Sequence, residues 1–249
     1  MFDTALLLAA AFVAGALNAV AGGGSFLTLP ALVFTGVPPV AANATGTVAL
    51  LPGYMAGAWG FREDMVPPPG LSMRAVVALS LVGGSAGAAL LLLTPDATFK
   101  KVVPWLLLAA TAMFAFGPKL RQWAGASHHG APSPLRAALG MLAVAAYGGY
   151  FNGGLGILLM ALYTLAGETR LNTVNALKNL NSFVLSLLSV GAFAWAGVIV
   201  WREAMLMMVA ATAGGLAGAR LARRLPATWV RGMVIATGLV MSAVFFTRR

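Results

Sequence analysis

A chain of 249 residues that is 60% hydrophobic and only 9% charged, with a mean hydropathy of +0.88, lies outside the range of soluble domains and reads as a polytopic membrane protein. It has no cysteine, which excludes disulfides, thiolate metal sites and cysteine nucleophiles together. A net charge of +10 would suggest nucleic acid in a soluble protein, but most basic residues here stand in short polar clusters between apolar stretches, so a lipid bilayer and no nucleic acid is expected as partner.

The first apolar segment, about 4–21, ends in Ala19-Val20-Ala21 and could pass for a signal peptide. It lacks a basic start, carries Asp3 instead, and its pattern returns later in the chain, so it reads as a retained helix. Gly22, Gly23 and Gly24 then interrupt the run. The apolar piece that follows, about 25–36, covers only about 18 Å at ~1.5 Å per residue, too little to cross a bilayer core of roughly 30 Å. It is either the second half of a broken span or the return arm of a re-entrant hairpin. Three longer helices are predicted at about 38–60, 71–93 and 98–117, and "QWAGASHHGAPSP", 122–134, reads as a linker.

Beyond the linker the pattern repeats. "VGGSAGAAL" at 82–90 returns as "AGGLAGARL" at 213–221, "AGGGSF" at 21–26 matches "GGLGIL" at 153–158, and "NATGT" at 43–47 matches "NALKN" at 175–179. The expected fold is therefore an all-α polytopic membrane protein of two homologous repeats, 1–121 and 135–249, each with four or five hydrophobic segments and one glycine-broken helix. Charge sidedness favours five. With the short piece turned back, Arg62, Arg74, Lys119, Arg121, Arg136, Arg170, Arg220, Arg223, Arg224 and Arg231 share one face, while Lys100, Lys101, Arg202, Arg248 and Arg249 take the other. An odd number of segments makes the repeats inverted, with both termini outside, as in many secondary transporters.

Three consecutive glycines followed by Ser25 and a new helix suggest a nest of free backbone N–H groups with Ser25 as cap, at the positive end of a helix dipole. Such an element favours anions, and interrupted backbone at this depth is tolerated only in a protein-lined or wet cavity. Gly154 and Gly156 mark the matching break. In the helix after it, Asn172, Asn175, Asn179, Ser182, Ser186 and Ser189 recur at spacings of 3 and 4, which is one face, and Lys178 borders it. Asn43, Thr45 and Thr47 supply polarity in the first copy, where Gly46 replaces the lysine. The candidate substrate contacts are thus Gly22, Gly23, Gly24, Ser25, Asn43, Thr45, Thr47, Gly154, Gly156, Asn175, Lys178 and Asn179. The competing reading makes the glycines a kink and the amides and hydroxyls interhelical glue; Gly83 with Gly87 and Gly214 with Gly218 are spaced for plain helix packing.

All six acidic residues, Asp3, Glu63, Asp64, Asp96, Glu168 and Glu203, fall in loops or at segment ends, and His128 and His129 lie in the linker. A proton or sodium relay has no carboxylate to use, so a small anion is the expected solute, with no cofactor and no metal. Gly83-Gly84-Ser85-Ala86-Gly87 matches the serine-hydrolase pattern but lies in an apolar helix with no strand before it and no histidine in any span, so no enzyme is expected. Two rivals share the pattern: a cation or neutral-solute permease, and a non-transporting membrane scaffold.

Two stretches, "GALNAVAGGGSFLTLPALVFTGVPPVAANATGTVA" and "AGVIVWREAMLMMVAATAGGLAGARLARRLPATWVRG", resemble the sulfite exporter TauE/SafE family over nearly the whole chain. The likeness lies in the order of the glycine-rich break, Pro30, the Ala-Asn-Ala-Thr stretch and the late Gly-Gly-x-x-Gly-Ala-Arg pattern. It implies a multi-pass permease of a bacterial-type inner membrane that moves sulfite, organosulfonates or related sulfur oxyanions, usually outward. The second break, "FNGGLGILLMALYTLAGE", departs from this in having neither the full triple glycine nor the proline.

Overall fold

The computed structural model describes residues 2–127, 133–221 and 227–247, which form ten α-helices and one short 3-10 turn. In chain order these are α1 (Phe2–Ala21), α2 (Ser25–Phe34), α3 (Pro39–Gly60), α4 (Met73–Leu93), α5 (Asp96–Ser127), α6 (Pro134–Tyr150), α7 (Leu155–Leu165), α8 (Leu171–Trp195), α9 (Trp201–Leu221) and α10 (Ala227–Thr247). By length and composition α1, α4 and α8 are apolar enough to cross a membrane. Trp59, Trp195 and Trp201 stand exposed at helix ends, where an aromatic belt would place them.

Local chemistry accounts for many of the boundaries. Pro39 and Pro134 occupy first turns, where a missing N–H costs nothing. Ser72 and Ser133 cap α4 and α6 by accepting from Ala75 N–H and Arg136 N–H. Asp96, at the start of α5, accepts from Val40 N–H at 2.9 Å and so caps α3. α2 and α7 end alike: Gly36 and Gly167 take positive φ, and the next N–H returns to Leu32 and Tyr163 respectively at 3.0 Å. The expected linker is shorter than its composition suggests. Residues 122–127, Gly125 included, continue α5 as helix, while His128 and His129 lie outside the described residues.

The two short helices are return arms. In the second half Gly148 abuts the Leu155 side chain and Gly140 the Leu162 side chain, so α6 and α7 run antiparallel. In the first half Gly24 lies against Ala14 and Asn18, so the chain has doubled back along α1 before α2 begins. Next, Leu50 meets Gly24 and Gly46 meets Thr28, which makes α2 and α3 antiparallel as well.

The main packing pairs recur when the first five helices are exchanged for the last five. α1 packs on α9 as α6 packs on α4; α3 packs on α9 as α8 packs on α4; α2 meets α10 as α7 meets α5; and α3 pairs with α8, α5 with α10. Apolar burial drives helices together only weakly in lipid, so these seams rely on close backbone approach. Gly15 sits on the Ala211 backbone and Gly214 on that of Phe12, while Gly87 sits on Ala146 and Gly149 on Gly84.

Gly87→Leu forces α4 off α6, because its Cβ would collide with the Ala146 carbonyl. It is expected to cost about 1–3 kcal/mol or more and to lower the melting temperature in detergent. Gly53→Ala, where an added Cβ meets nothing within 4 Å, leaves that temperature unchanged.

Candidate functional site

The two glycine breaks touch each other. Gly22 and Gly154 have φ of 76° and 75°, a backbone conformation that side chains rarely adopt. A Cβ on Gly22 would lie 2.9 Å from the Gly156 Cα, and one on Gly156 would lie 2.8 Å from the Gly22 Cα. No side chain fits between them. Gly154 is backed by Ala110 and Phe26, and the Tyr147 hydroxyl donates to the Gly153 carbonyl at 2.7 Å, pinning the second break. Gly22, Gly23, Gly24 and Ser25 are buried, as are Gly154 and Gly156.

Each break therefore delivers a helix N-terminus to the same interior region. Phe26 N–H bonds to the Gly23 carbonyl, Leu27 N–H to Gly24 and Ile157 N–H to Gly154. The Gly156 amide makes no hydrogen bond among the described residues, as expected in the first turn of a helix. One detail differs from expectation. Gly24 already has helical backbone angles, so the cap position falls on glycine, and Ser25 becomes the first residue of α2 without capping it. Its Oγ is buried with no partner.

Side chains from α3 close over the breaks. Asn43 donates to the Tyr150 carbonyl at 3.3 Å, and Thr47 donates to the Asn43 carbonyl at 2.8 Å. Asn152, in the second break, donates to Thr47 Oγ1 at 3.5 Å, and the Tyr54 hydroxyl donates to Asn152 Oδ1 at 3.4 Å. Asn18 and Ser25, on either side of the first break, stand beside the same tyrosine hydroxyl. The two breaks and α3 thus share one buried polar cluster. Asn18, Tyr54 and Asn152 were not among the residues expected from sequence. Asn18 and Asn152 each lie within four residues of a glycine break, a signal that was there to read; Tyr54 is two helical turns from Thr47 and carried none.

Other expected residues scatter. Thr45 accepts from Val200 N–H at 3.1 Å and so holds the start of α9. Asn175 donates back to the Leu171 carbonyl of its own helix. On α8, Asn179 abuts Gly57 of α3, and the buried hydroxyls of Ser182, Ser186 and Ser189 have no partner. Lys178 is 1% exposed and, among the described residues, forms no ion pair with a carboxylate.

A cavity of about 290 Å³ adjoins the cluster, lined by Gly15, Asn18 and Ala19 of α1, by α3 from Ala49 to Gly60 with Phe61 beyond it, by Asn179 of α8 and by Ala211 to Leu216 of α9. None of the break glycines lines it; Asn18 and Leu50 do, and both abut Gly24. The break is approached by a hollow but shut off from it in this conformation.

A helical protein of membrane-spanning length, with two re-entrant arms meeting at glycines, has the general form of a permease. Comparison with known proteins supplies the family: the model for sulfite exporter TauE/SafE matches residues 7–245, and the chain belongs to that family. It is 30% identical over 253 residues to a "probable membrane transporter protein" of Haemophilus influenzae, covering 96% of this chain and 92% of that one. It is also 27% identical to similarly described proteins of Sinorhizobium sp (96% and 90% covered) and Escherichia coli K12, where the protein is YfcA (96% and 87%). No solved structure gives a significant match. The protein is an integral membrane transporter.

Between α7 and α8, Glu168 accepts from Arg170 through the backbone N–H at 2.9 Å and through the guanidinium at 3.1 and 3.2 Å. The guanidinium bond is the main reason its carboxyl is held below the usual value of 4.5. A depressed carboxylate stabilises the fold above its unfolded pKa and loses that contribution as pH falls through the folded one. Glu168→Gln is therefore expected to melt lower than the parent at pH 7, with the gap closing as pH falls below about 4.5, as followed by thermal unfolding in detergent.

Proposed function

We propose that the protein exports a small sulfur oxyanion, sulfite or an organosulfonate, across a bacterial-type inner membrane, using two inverted repeats, 1–121 and 135–249, whose broken helices hold the anion between them. The observation that carries this reading is the Gly22–Gly156 contact, which brings the N-termini of α2 and α7 to one place. Each contributes roughly half a positive charge in the form of unpaired amides. Buried hydroxyls and amides surround them, and Lys178 lies on the buried polar face of α8.

The charge inventory points the same way. Among the described residues the one buried carboxylate is Glu168, which is engaged by Arg170 at the α7–α8 turn. Asp96 is engaged at the start of α3. A cation would find no counter-charge inside, whereas an anion finds donors. With the cell interior negative, a monovalent anion leaves downhill by about 2.3 kcal/mol per 100 mV, so export needs no coupled ion.

In proteoliposomes with a clamped potential, sulfite efflux is expected to rise as the interior is made more negative. Lys178→Met should lower the flux at sub-saturating sulfite by roughly tenfold, the scale of one hydrogen bond to a charged group, while the variant stays monodisperse. Flux that ignores potential and follows a sodium or proton gradient would remove the reading.

A further inference from the structure

We propose that three neutral side chains, Asn18, Tyr54 and Asn152, receive the oxygens of the solute, and that the solute reaches them through the hollow between α1, α3 and α9 from the basic face. The inference rests on the anion reading above and deepens it.

All three residues are more than nine-tenths buried, at 6%, 2% and 3% exposure. Their mutual bonds are at the long end of the hydrogen-bond range, 3.4 Å for Tyr54 to Asn152 and 3.5 Å for Asn152 to Thr47, where such bonds are weak. Asn18 Oδ1 and the neighbouring Ser25 Oγ stand beside the Tyr54 hydroxyl but make no hydrogen bond within 3.5 Å. Buried polar groups in native interiors are nearly always satisfied by protein, water or ligand. A cluster left slack on both sides of the meeting breaks is therefore matched to something that enters it. Tyrosine hydroxyl and asparagine amide groups can both turn N–H or O–H donors toward an oxyanion, and no carboxylate stands among them to repel it.

The structure also offers a way in. The hollow of about 290 Å³ has Asn18 and Asn179 among its walls, is large enough for several waters at ~30 Å³ each, and extends along Gly53 and Gly57 to Gly60 and Phe61. Arg62 follows directly, on the face that also carries Arg74, Arg136 and Arg170. An anion gathered at that face meets a small-residue slot that leads to the first break.

The absence of native cysteine makes the test direct. Gly53→Cys and Gly60→Cys introduce single thiols where an added Cβ meets nothing within 4 Å. A charged, membrane-impermeant methanethiosulfonate applied from the basic face should modify both, and an organosulfonate, which unlike sulfite does not consume the reagent, should slow the reaction at position 53. Modification by apolar maleimide alone would mean that lipid chains fill the hollow and would overturn the proposed route. Tyr54→Phe and Asn152→Leu should each raise the KM for sulfite about tenfold or more with little change in maximal rate, and abolish the thermal protection given by sulfite. If N152L does not fold, Tyr54→Phe alone decides. An unchanged KM together with a lower melting temperature would make the cluster structural and sink this inference while leaving anion export standing. A parent protein that moves neither sulfite, sulfate nor thiosulfate would sink both.

Discussion

Everything in the interior depends on two interrupted backbones being able to touch. A membrane offers no water to pair a broken helix, so an interruption must be buried against protein or line a wet space. Here each interruption is buried against the other, at Gly22 and Gly156, with no room for a Cβ on either side. That contact brings two helix N-termini together, buried beside a shared polar cluster. The glycines are therefore required twice over, once for the positive φ of Gly22 and Gly154 and once for the closeness of the meeting.

The contact is held by how the two halves interlock. The long arm of the first hairpin, α1, packs on α9 of the other half, and α6 packs on α4. Each hairpin is thus clamped by the opposite half, along seams where glycine and alanine let backbones approach. The polar residues of α3 follow the same logic: Asn43 reaches the end of α6, Thr45 holds the start of α9, and Thr47 meets Asn152.

Electrostatics divides the molecule cleanly. Carboxylates serve the ends of helices, with Asp96 capping α3 and Glu168 tying the α7–α8 turn to Arg170. The interior is left to amides, hydroxyls and Lys178, with no buried carboxylate other than Glu168 among the described residues. The hollow beside Asn18 stops short of the break glycines, so the meeting point is closed in the conformation described.

Much of this was legible from residue order alone. Apolar run lengths, proline and glycine punctuation and the similar nonapeptides at 82–90 and 213–221 were enough to place the helices, because they report local backbone preference and the thickness of a bilayer. The breaks were visible for the same reason. Periodicity could not say that α2 and α7 turn back, since a short apolar helix has the same pattern whichever way it runs; the facing pairs Gly148–Leu155 and Gly140–Leu162 decide that. Nor could spacing separate Thr45, which serves the start of α9, from Thr47, two residues on, which joins the site. Whether a polar residue lines a site depends on what packs opposite it, and only the assembled helices bring Tyr54, Asn18 and Asn152 from three distant segments to one point.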